Sequence, residues 1–244
     1  MKNIFYRLMA LWALILFTVT IIPVAVIVIL SSWLKEPDKT EFFRIVSIGW
    51  IRFFLFMTAC PFKVKGKENF RKGKVYVVAV NHNSFVDVLV LTPFVPGPNK
   101  TIAKAEMAKI PIFGTVYRRG SILVDRKDKD SRVKSFIEMT GVLKKGMHMC
   151  IYPEGTRNRT KLPMKDFHNG AFRLAQDTGT PLIPAVIFNT KKILPVDKTF
   201  YYHPHRIELH FLPEISPDNF RDFEEMKDAV RKTMIDYFVK NQPG

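Results

Sequence analysis

The residues best suited to chemistry are a histidine and a carboxylate five positions apart, His82 and Asp87, just after the apolar segment at 75–80. A neutral imidazole can take a proton from an alcohol near pH 7. A carboxylate on its other ring nitrogen would fix the tautomer and stabilise the imidazolium as it forms. The pair therefore fits a general base that activates a hydroxyl group, although a histidine that satisfies backbone groups in a turn explains the spacing equally well.

The spacing also restricts the local structure. On a regular helix, residues i and i+5 lie roughly 140° apart around the axis, so His82 and Asp87 would not meet there. They meet if the histidine lies in a turn after a strand and the carboxylate lies in the first turns of the next helix. The sequence therefore predicts a strand at 75–80, a turn, and a helix from near Ser84 to the breakers at 96–98. A triad that uses Ser84 is disfavoured, because the chain lacks a Gly-x-Ser-x-Gly elbow.

A second polar motif, Tyr-Pro-Glu-Gly-Thr-Arg at 152–157, follows another apolar segment. The planar guanidinium of Arg157 matches the geometry of a phosphate group. Glu154 could orient Arg157 or bond a substrate hydroxyl. A surface turn with an ordinary ion pair is the alternative for this hexapeptide in isolation.

The remaining pattern predicts the elements that position both motifs. Strands that alternate with helices predict an α/β layered domain, with a largely parallel or mixed sheet flanked by helices. Active sites in such domains lie outside the carboxyl ends of the strands, so both motifs should open on one edge. Further strand candidates occupy 62–66, 101–103, 121–124, 149–152, 182–187 and 207–212, and helical patterns occupy 131–145, 169–177 and 220–239.

The N-terminal segment predicts a membrane anchor. Between Arg7 and Lys35 the chain has no charged residue, and a helix of that length would be roughly 40 Å long, against roughly 30 Å of bilayer hydrocarbon. A cleaved signal peptide is disfavoured, because its apolar region is shorter. The apolar segment at 42–62 contains Arg44 and Arg52, which fits an interfacial helix.

We therefore assign 1–61 to membrane-anchoring helices and 62–244 to the α/β domain. More basic residues follow the first apolar segment than precede it, which favours a domain on the cytoplasmic side of the cell (inner) membrane. A hairpin embedded in one leaflet is the alternative. The two cysteines, Cys60 and Cys150, form no disulfide framework and no metal-ligand pattern, as suits a cytoplasmic domain.

The net charge of +16 is concentrated in the middle of the chain, where residues 97–170 contain 16 Lys and Arg against 7 Asp and Glu. Such a field attracts either nucleic acid or anionic lipid. The chain lacks an aromatic-basic signature of RNA binding and has an apolar anchor. We therefore expect an anionic membrane surface as the partner and no nucleic acid.

The motifs together resemble those of the glycerolipid acyltransferases, most closely the bacterial-type 1-acylglycerol-3-phosphate (lysophosphatidic acid) acyltransferases. Two further blocks match, at 120–126 and 181–186, so the resemblance covers roughly residues 62–215. Tyr152 stands where phenylalanine is commoner. The resemblance implies that His82 is the general base and Asp87 its partner, that Glu154, Gly155, Thr156 and Arg157 bind the acceptor, and that Arg126 and Lys104 contact the acceptor phosphate.

The reaction that this resemblance implies is acyl transfer from a thioester, acyl-CoA or acyl-carrier protein, to the sn-2 hydroxyl of lysophosphatidic acid, with no acyl-enzyme, cofactor or metal. The expected partners are a lysophospholipid acceptor and the thioester donor. Three alternatives stay open. They are the same chemistry on glycerol 3-phosphate or a lyso-aminolipid, a thioesterase or lipase that passes the acyl group to water, and a non-catalytic lipid-binding membrane protein.

Overall fold

The computed structural model describes residues 2–243, which form one seven-stranded sheet with helices on both faces. The strands are β1 (Phe62–Lys65), β2 (Val77–Val80), β3 (Asn99–Lys104), β4 (Ser121–Val124), β5 (His148–Ile151), β6 (Leu182–Phe188) and β7 (Ile207–Phe211). The helices are α1 (Lys2–Leu30), α2 (Asp38–Met57), α3 (Val86–Leu91), α4 (Phe113–Arg119), α5 (Lys129–Lys144), α6 (Gly170–Thr178), α7 (Thr190–Ile193) and α8 (Phe223–Lys240).

The strand order is β1-β7-β6-β2-β5-β3-β4. Strands β6, β2, β5, β3 and β4 are parallel to one another, whereas β7 is antiparallel to β6 and β1 is parallel to β7. The prediction of a mixed α/β sheet flanked by helices is therefore confirmed. Every residue of β2, β5, β6 and β7 is buried, as expected for strands that are covered on both faces.

Strand β2 divides the core into two halves. Val78 and Val80 pack with α1, α2 and α3 on one face, and Val77 and Ala79 pack with α5, α6 and α8 on the other. Successive side chains of a strand point to opposite faces, so a continuous run of small apolar residues fills both halves. This central strand ends at Val80, two residues before His82, and its packing on both faces leaves it little freedom to shift.

Three helices differ from the sequence prediction: the helix after β2, α4, and the four-residue α7, which was also not predicted. The helix after β2 ends at Leu91 rather than near residue 95, because Pro93 has no N–H to bond the carbonyl of Leu89. Helix α4 was not predicted, since its seven residues are too few to show a helical period. It follows Ile112, which has a positive φ of 64°.

The predicted apolar N-terminal helix is present as α1, which is long and apolar enough to cross a membrane. This helix also docks along the domain. The Tyr6 carbonyl accepts from the Tyr202 N–H at 3.1 Å near one end, and the Val28 carbonyl accepts from Arg119 Nη2 at 2.9 Å near the other. Its opposite face exposes large apolar side chains to the surroundings. The predicted boundary at 61/62 stays a prediction, although α1 and α2 contribute to the same core as the sheet.

Candidate active site

The carboxyl ends of the five parallel strands meet at one edge of the sheet. His82 follows β2, and the motif at 152–157 follows β5, the neighbour of β2. Lys104 ends β3 and Arg126 follows β4. The parallel topology therefore places all of the sequence-predicted site residues along this edge, as expected for an open α/β sheet.

His82 and Asp87 form the predicted pair. His82 Nδ1 lies 2.8 Å from Asp87 Oδ2. The histidine lies in the loop after β2 and the aspartate in the first turn of α3, which is the arrangement that the five-residue spacing requires. The His82 side chain is 16% exposed, whereas that of Asp87 is fully buried.

Asp87 is held by three further donors. Its Oδ2 accepts from the backbone N–H groups of Asn83 at 2.5 Å and Ser84 at 2.7 Å, and its Oδ1 accepts from Thr190 Oγ1 at 2.5 Å. Hydrogen bonds to an ionised carboxylate are among the stronger ones in proteins. The carboxylate is thus fixed in position before it contacts the imidazole.

The arrangement leaves the second nitrogen of His82 open. A charged carboxylate can only accept, so Nδ1 carries the hydrogen and Nε2 carries the lone pair. Within residues 2–243, Nε2 has no hydrogen-bond partner. The Tyr152 ring packs against the imidazole with centroids 4.3 Å apart and fixes its plane. His82 can therefore accept a proton from a group that approaches Nε2.

Glu154 ties the two motif loops together. Its buried carboxylate accepts from the His82 backbone N–H at 2.7 Å through Oε1 and from the Lys165 N–H at 2.9 Å through Oε2. On the other side of the histidine, the Asn158 N–H donates to the His82 carbonyl at 2.7 Å. Glu154 therefore positions the backbone of His82. Its predicted part in acceptor binding stays a prediction.

Gly155 and Thr156 shape the same loop. Gly155 has a positive φ of 69°, and a Cβ at this position would lie 2.7 Å from Cδ2 of His168. The conformation therefore favours glycine, and a side chain at this position would also displace the exposed ring of His168. Thr156 is exposed, and its Oγ1 accepts from Lys165 Nζ at 2.6 Å.

Arg157 presents a free guanidinium beside the pair. Its Cζ lies 3.6 Å from the centroid of the exposed Phe85 ring, a cation–π contact that holds the side chain against the start of α3. In the described part of the chain it has no carboxylate and no hydrogen-bond acceptor. Burial, and then the neighbouring Arg159, lower the pKa of Arg157, yet a guanidinium stays charged near neutrality. The N–H groups of the Arg157 guanidinium are therefore available to bind an anion.

Lys104 and Arg126 lie farther along the edge. Strands β3 and β4 are two and three positions from β2, which corresponds to roughly 10 and 15 Å. Lys104 pairs with Glu106 at 2.8 Å with both side chains exposed, and Arg126 is exposed. Their predicted contacts with an acceptor phosphate stay predictions, and Arg157 is the predicted phosphate-binding cation that packs directly beside the His82 loop.

Thr190 belongs to this site and was missed from the sequence. It begins α7 directly after Asn189, a residue with a positive φ of 69°, and its side chain is fully buried. Strand β6 lies beside β2, so the turn after β6 reaches Asp87. An asparagine that accepts a left-handed conformation at the end of a predicted strand was the available signal.

We expect Glu154→Gln to lower the free energy of unfolding by about 1–3 kcal/mol, because the amide leaves one buried backbone N–H without its acceptor. Burial raises the pKa of Glu154 above its ordinary value of 4.5. A folded-state pKa above the unfolded one means that this group destabilises the fold as pH rises through that window. The variant lacks this loss. The difference in unfolding free energy between wild type and Glu154→Gln should therefore shrink from pH 4 to 7, as measured by thermal unfolding of detergent-solubilised protein. A constant or widening difference contradicts the raised pKa of Glu154.

Comparisons with known proteins identify a family for this chain. The family model described as Acyltransferase matches residues 61–188, more than half of the chain. A 1-acyl-sn-glycerol-3-phosphate acyltransferase alpha of Mus musculus is 29% identical over 72% of this chain. The 1-acyl-sn-glycerol-3-phosphate acyltransferase of Saccharomyces cerevisiae is 29% identical over 74% of it. The chain aligns with 63% and 60% of the lengths of these two relatives, respectively.

A bacterial relative and a solved structure match over more of their length. A probable 1-acyl-sn-glycerol-3-phosphate acyltransferase of Mycoplasma pneumoniae is 27% identical over 86% of both chains. The crystal structure of the 1-acyl-sn-glycerophosphate (LPA) acyltransferase PlsC from Thermotoga maritima superposes with a TM-score of 0.85 over the whole of both chains, at 23% identity. At this identity, the structural match shows that the two chains share a fold.

Proposed function

The chain belongs to the acyltransferase family, and we propose that it transfers a fatty acyl group from a thioester to the sn-2 hydroxyl of lysophosphatidic acid, giving phosphatidic acid. The observation that carries this proposal is an imidazole with an open Nε2, fixed by Asp87, beside the free guanidinium of Arg157. The printed names of the relatives support the choice of acceptor.

In the proposed reaction, His82 Nε2 removes the proton of the acceptor hydroxyl while Asp87 stabilises the imidazolium. The oxygen attacks the thioester carbonyl, a C–O bond forms and the C–S bond breaks. The departing thiolate takes the proton back from His82, which returns the enzyme to its starting state. The thioester is acyl-CoA or acyl-carrier protein, and the mechanism needs no cofactor.

Direct transfer is favoured over an acyl-enzyme by the position of Ser84. Its side chain is buried, and its Oγ accepts from the Val86 N–H at 3.3 Å at the start of α3. The hydroxyl therefore bonds the backbone at the start of α3, whereas a nucleophile has to face the substrate. A base that acts on the substrate hydroxyl contributes about 10²- to 10⁴-fold in rate, and positioning can contribute about 7–11 kcal/mol.

The acceptor fits the spacing of the two groups. In lysophosphatidic acid the reacting hydroxyl and the phosphate are on neighbouring carbons, so a cation directly beside the base can hold the phosphate while the hydroxyl reaches Nε2. Arg157 fits this role, because it stacks on Phe85, which lies between His82 and Asp87 in the chain. Lys104 and Arg126 extend the positive charge along the edge toward the rest of an anionic substrate.

Helix α1 supports a location at the membrane, where both acceptor and product reside. Because one face of α1 docks along the domain and the other exposes apolar side chains, we favour α1 and α2 inserted in one leaflet over an isolated span. We place the protein on the cell (inner) membrane with its domain on the cytoplasmic side. The anionic surface attracts the basic residues of the domain.

The test of the acceptor is a panel assay. Purified protein receives labelled acyl-CoA or acyl-carrier protein with lysophosphatidic acid, glycerol 3-phosphate, a lyso-aminolipid, or no acceptor. We expect labelled phosphatidic acid as the main product. A larger yield with glycerol 3-phosphate or with the lyso-aminolipid would reassign the acceptor. Free fatty acid in every arm would indicate a thioesterase or lipase.

Arg157→Lys keeps the charge but removes the planar fork and its stacking on Phe85. We expect the KM for lysophosphatidic acid to rise about tenfold, because one charge-assisted hydrogen bond is worth about 1.5–3 kcal/mol. The matched control is Arg159→Lys, at an exposed arginine two residues away. Steady-state kinetics with varied acceptor measure both. An unchanged KM in Arg157→Lys would refute the assignment of the guanidinium to the phosphate.

Thr190→Val removes one donor from Asp87 and keeps the shape of the buried side chain. We expect kcat to fall about tenfold with little change in KM, because the carboxylate loses a hydrogen bond to a charged group. Thr190→Ser keeps the hydroxyl and should restore most of the activity. If valine and serine variants turn over equally, the hydroxyl has no part in positioning Asp87.

A further inference from the structure

A polar cavity of about 410 Å³, open to solvent, lies at the end of α1, where the connection to α2 meets α4 and the beginning of β3. Four cations line it, Lys39, Lys100, Arg118 and Arg119, against one carboxylate, Glu36. We call it the α1-end cavity. The formal charge of its lining residues is +3.

Glu36 neutralises only one of these cations. Its Oε1 lies 2.8 Å from Lys100 Nζ, and its Oε2 accepts from the backbone N–H of Thr40 at 3.2 Å and from Thr40 Oγ1 at 2.6 Å. Both oxygens are therefore occupied. The carboxylate joins β3 to the start of α2, and among residues 2–243 only Lys100 lies within ion-pair distance of it, although its charge also acts on Arg119.

The other three cations have no carboxylate within ion-pair distance in residues 2–243. Each is instead aimed by a backbone carbonyl and keeps further N–H donors for a ligand. The bonds run from Lys39 Nζ to the Ser32 carbonyl at 2.8 Å, from Arg118 Nη2 to the Ala108 carbonyl at 2.9 Å, and from Arg119 Nη2 to the Val28 carbonyl at 2.9 Å.

Burial separates this cavity from an ordinary basic surface. Lys39, Lys100 and Arg119 are half-buried and Arg118 is exposed; burial lowers the pKa of Arg119, and the charge of Glu36 opposes this shift. Removing a charge from water without a counter-ion costs free energy. The fold holds these side chains in place by carbonyl contacts, and an anion in the cavity would offset the cost.

We propose that the α1-end cavity binds a phosphate group and is separate from the active site. Lys100 and Lys104 lie at opposite ends of β3, four residues or about 13 Å apart, so the cavity belongs to the other edge of the sheet. Its cations match a phosphate, since arginine forks and lysine both bind this group.

A lipid headgroup is the source that the surroundings favour. Ile29 lines the cavity and is exposed on α1, and Leu30 and Trp33 next to it are 69% and 78% exposed. Apolar side chains with an exposed tryptophan are typical of the membrane–water interface. A phosphate in the cavity would lie at headgroup level while the acyl chains contact α1. Free phosphate has the same binding chemistry and is the other source.

Two variants on different elements test the site, Arg118→Gln on α4 and Lys39→Gln on α2. The matched control is Lys35→Gln, an exposed lysine of the same loop that does not line the cavity. Binding of each full-length protein is measured on phosphatidylcholine vesicles with and without phosphatidylglycerol. In a second arm, thermal unfolding of the detergent-solubilised proteins is followed with and without inorganic phosphate.

All three variants lose the diffuse attraction of one charge. We expect Arg118→Gln and Lys39→Gln to lose about tenfold more affinity for the anionic vesicles than Lys35→Gln, because each also loses a direct contact with the phosphate. Stabilisation by inorganic phosphate that persists in Lys35→Gln and disappears in Arg118→Gln would add free phosphate as a ligand. If inorganic phosphate stabilises none of the proteins and the two cavity variants still lose more vesicle affinity than Lys35→Gln, the ligand is the lipid headgroup. Equal losses in the vesicle arm, without discrimination by phosphate, would overturn the proposal.

Discussion

His82→Ala is expected to lower kcat for phosphatidic acid formation by about 10²- to 10⁴-fold, the contribution of a positioned general base. The substitution removes the nitrogen that takes the proton from the acceptor. Among the described residues, the other partners of Asp87 are two backbone N–H groups and the Thr190 hydroxyl, and none of these can replace the imidazole as a base. The fold should persist, because Asp87 keeps its other three donors and the His82 backbone keeps its bonds to Glu154 and Asn158. Kinetics and thermal unfolding of the same preparation measure both effects.

The control for this variant is His205→Ala, at a half-buried histidine in the turn before β7 whose ring, among the described residues, hydrogen-bonds only the adjacent Arg206 N–H. It should turn over at nearly the wild-type rate. Retention of more than a few per cent of activity by His82→Ala would show that another group removes the proton. A large drop in the unfolding midpoint would assign the loss to structure.

Asp87→Asn is expected to lower kcat by about 10²-fold or more, because the imidazolium that forms at His82 loses its negative partner. The amide has nearly the shape of the carboxylate. Its oxygen can accept from two of the present donors, and its nitrogen can donate to Thr190 Oγ1. The acceptor KM should change little, because Asp87 is fully buried and does not face the substrate.

The matched control is Asp166→Asn, which removes an exposed carboxylate that pairs with Arg231 at 3.1 Å. It should leave turnover unchanged. Because His82 and Asp87 act as one unit, the double variant His82→Ala with Asp87→Asn should be no slower than His82→Ala alone. Multiplicative losses in the double variant would mean that the two side chains act independently.

The sequence predicted the pair and the edge on which it lies. The five-residue spacing of His82 and Asp87 admits few geometries, and alternating strands and helices bring the carboxyl ends of β2 and β5 together. The first inference depends on short-range geometry, and the second on the general rule that parallel strands end at one edge of a sheet. They therefore need no knowledge of how distant segments pack.

The supporting contacts were not predictable in the same way. Thr190 lies 103 positions after Asp87, and only the position of β6 beside β2 brings them together. Glu154 looked like a ligand for Arg157 or a substrate because side-chain charge is visible in a sequence, whereas its observed partners are two backbone N–H groups. The stacking of Arg157 on Phe85 was hidden because an exposed phenylalanine carries no local signal.

The hydropathy of the N-terminal helix likewise predicted only part of its structure. It shows that α1 is apolar throughout, but it does not distinguish the stripe that packs on α2 and α4 from the face that is left exposed. The docking of α1 along the domain appears only when the tertiary contacts at Tyr6 and Val28 are seen.

The most direct test of the central claim is the yield of doubly acylated product from lysophosphatidic acid and a labelled thioester, measured side by side for purified wild type and His82→Ala. We predict labelled phosphatidic acid from the wild type and about a hundredth of that yield or less from the variant. Equal yields from the two proteins, or labelled free fatty acid as the only wild-type product, would contradict acyl transfer by a base at His82.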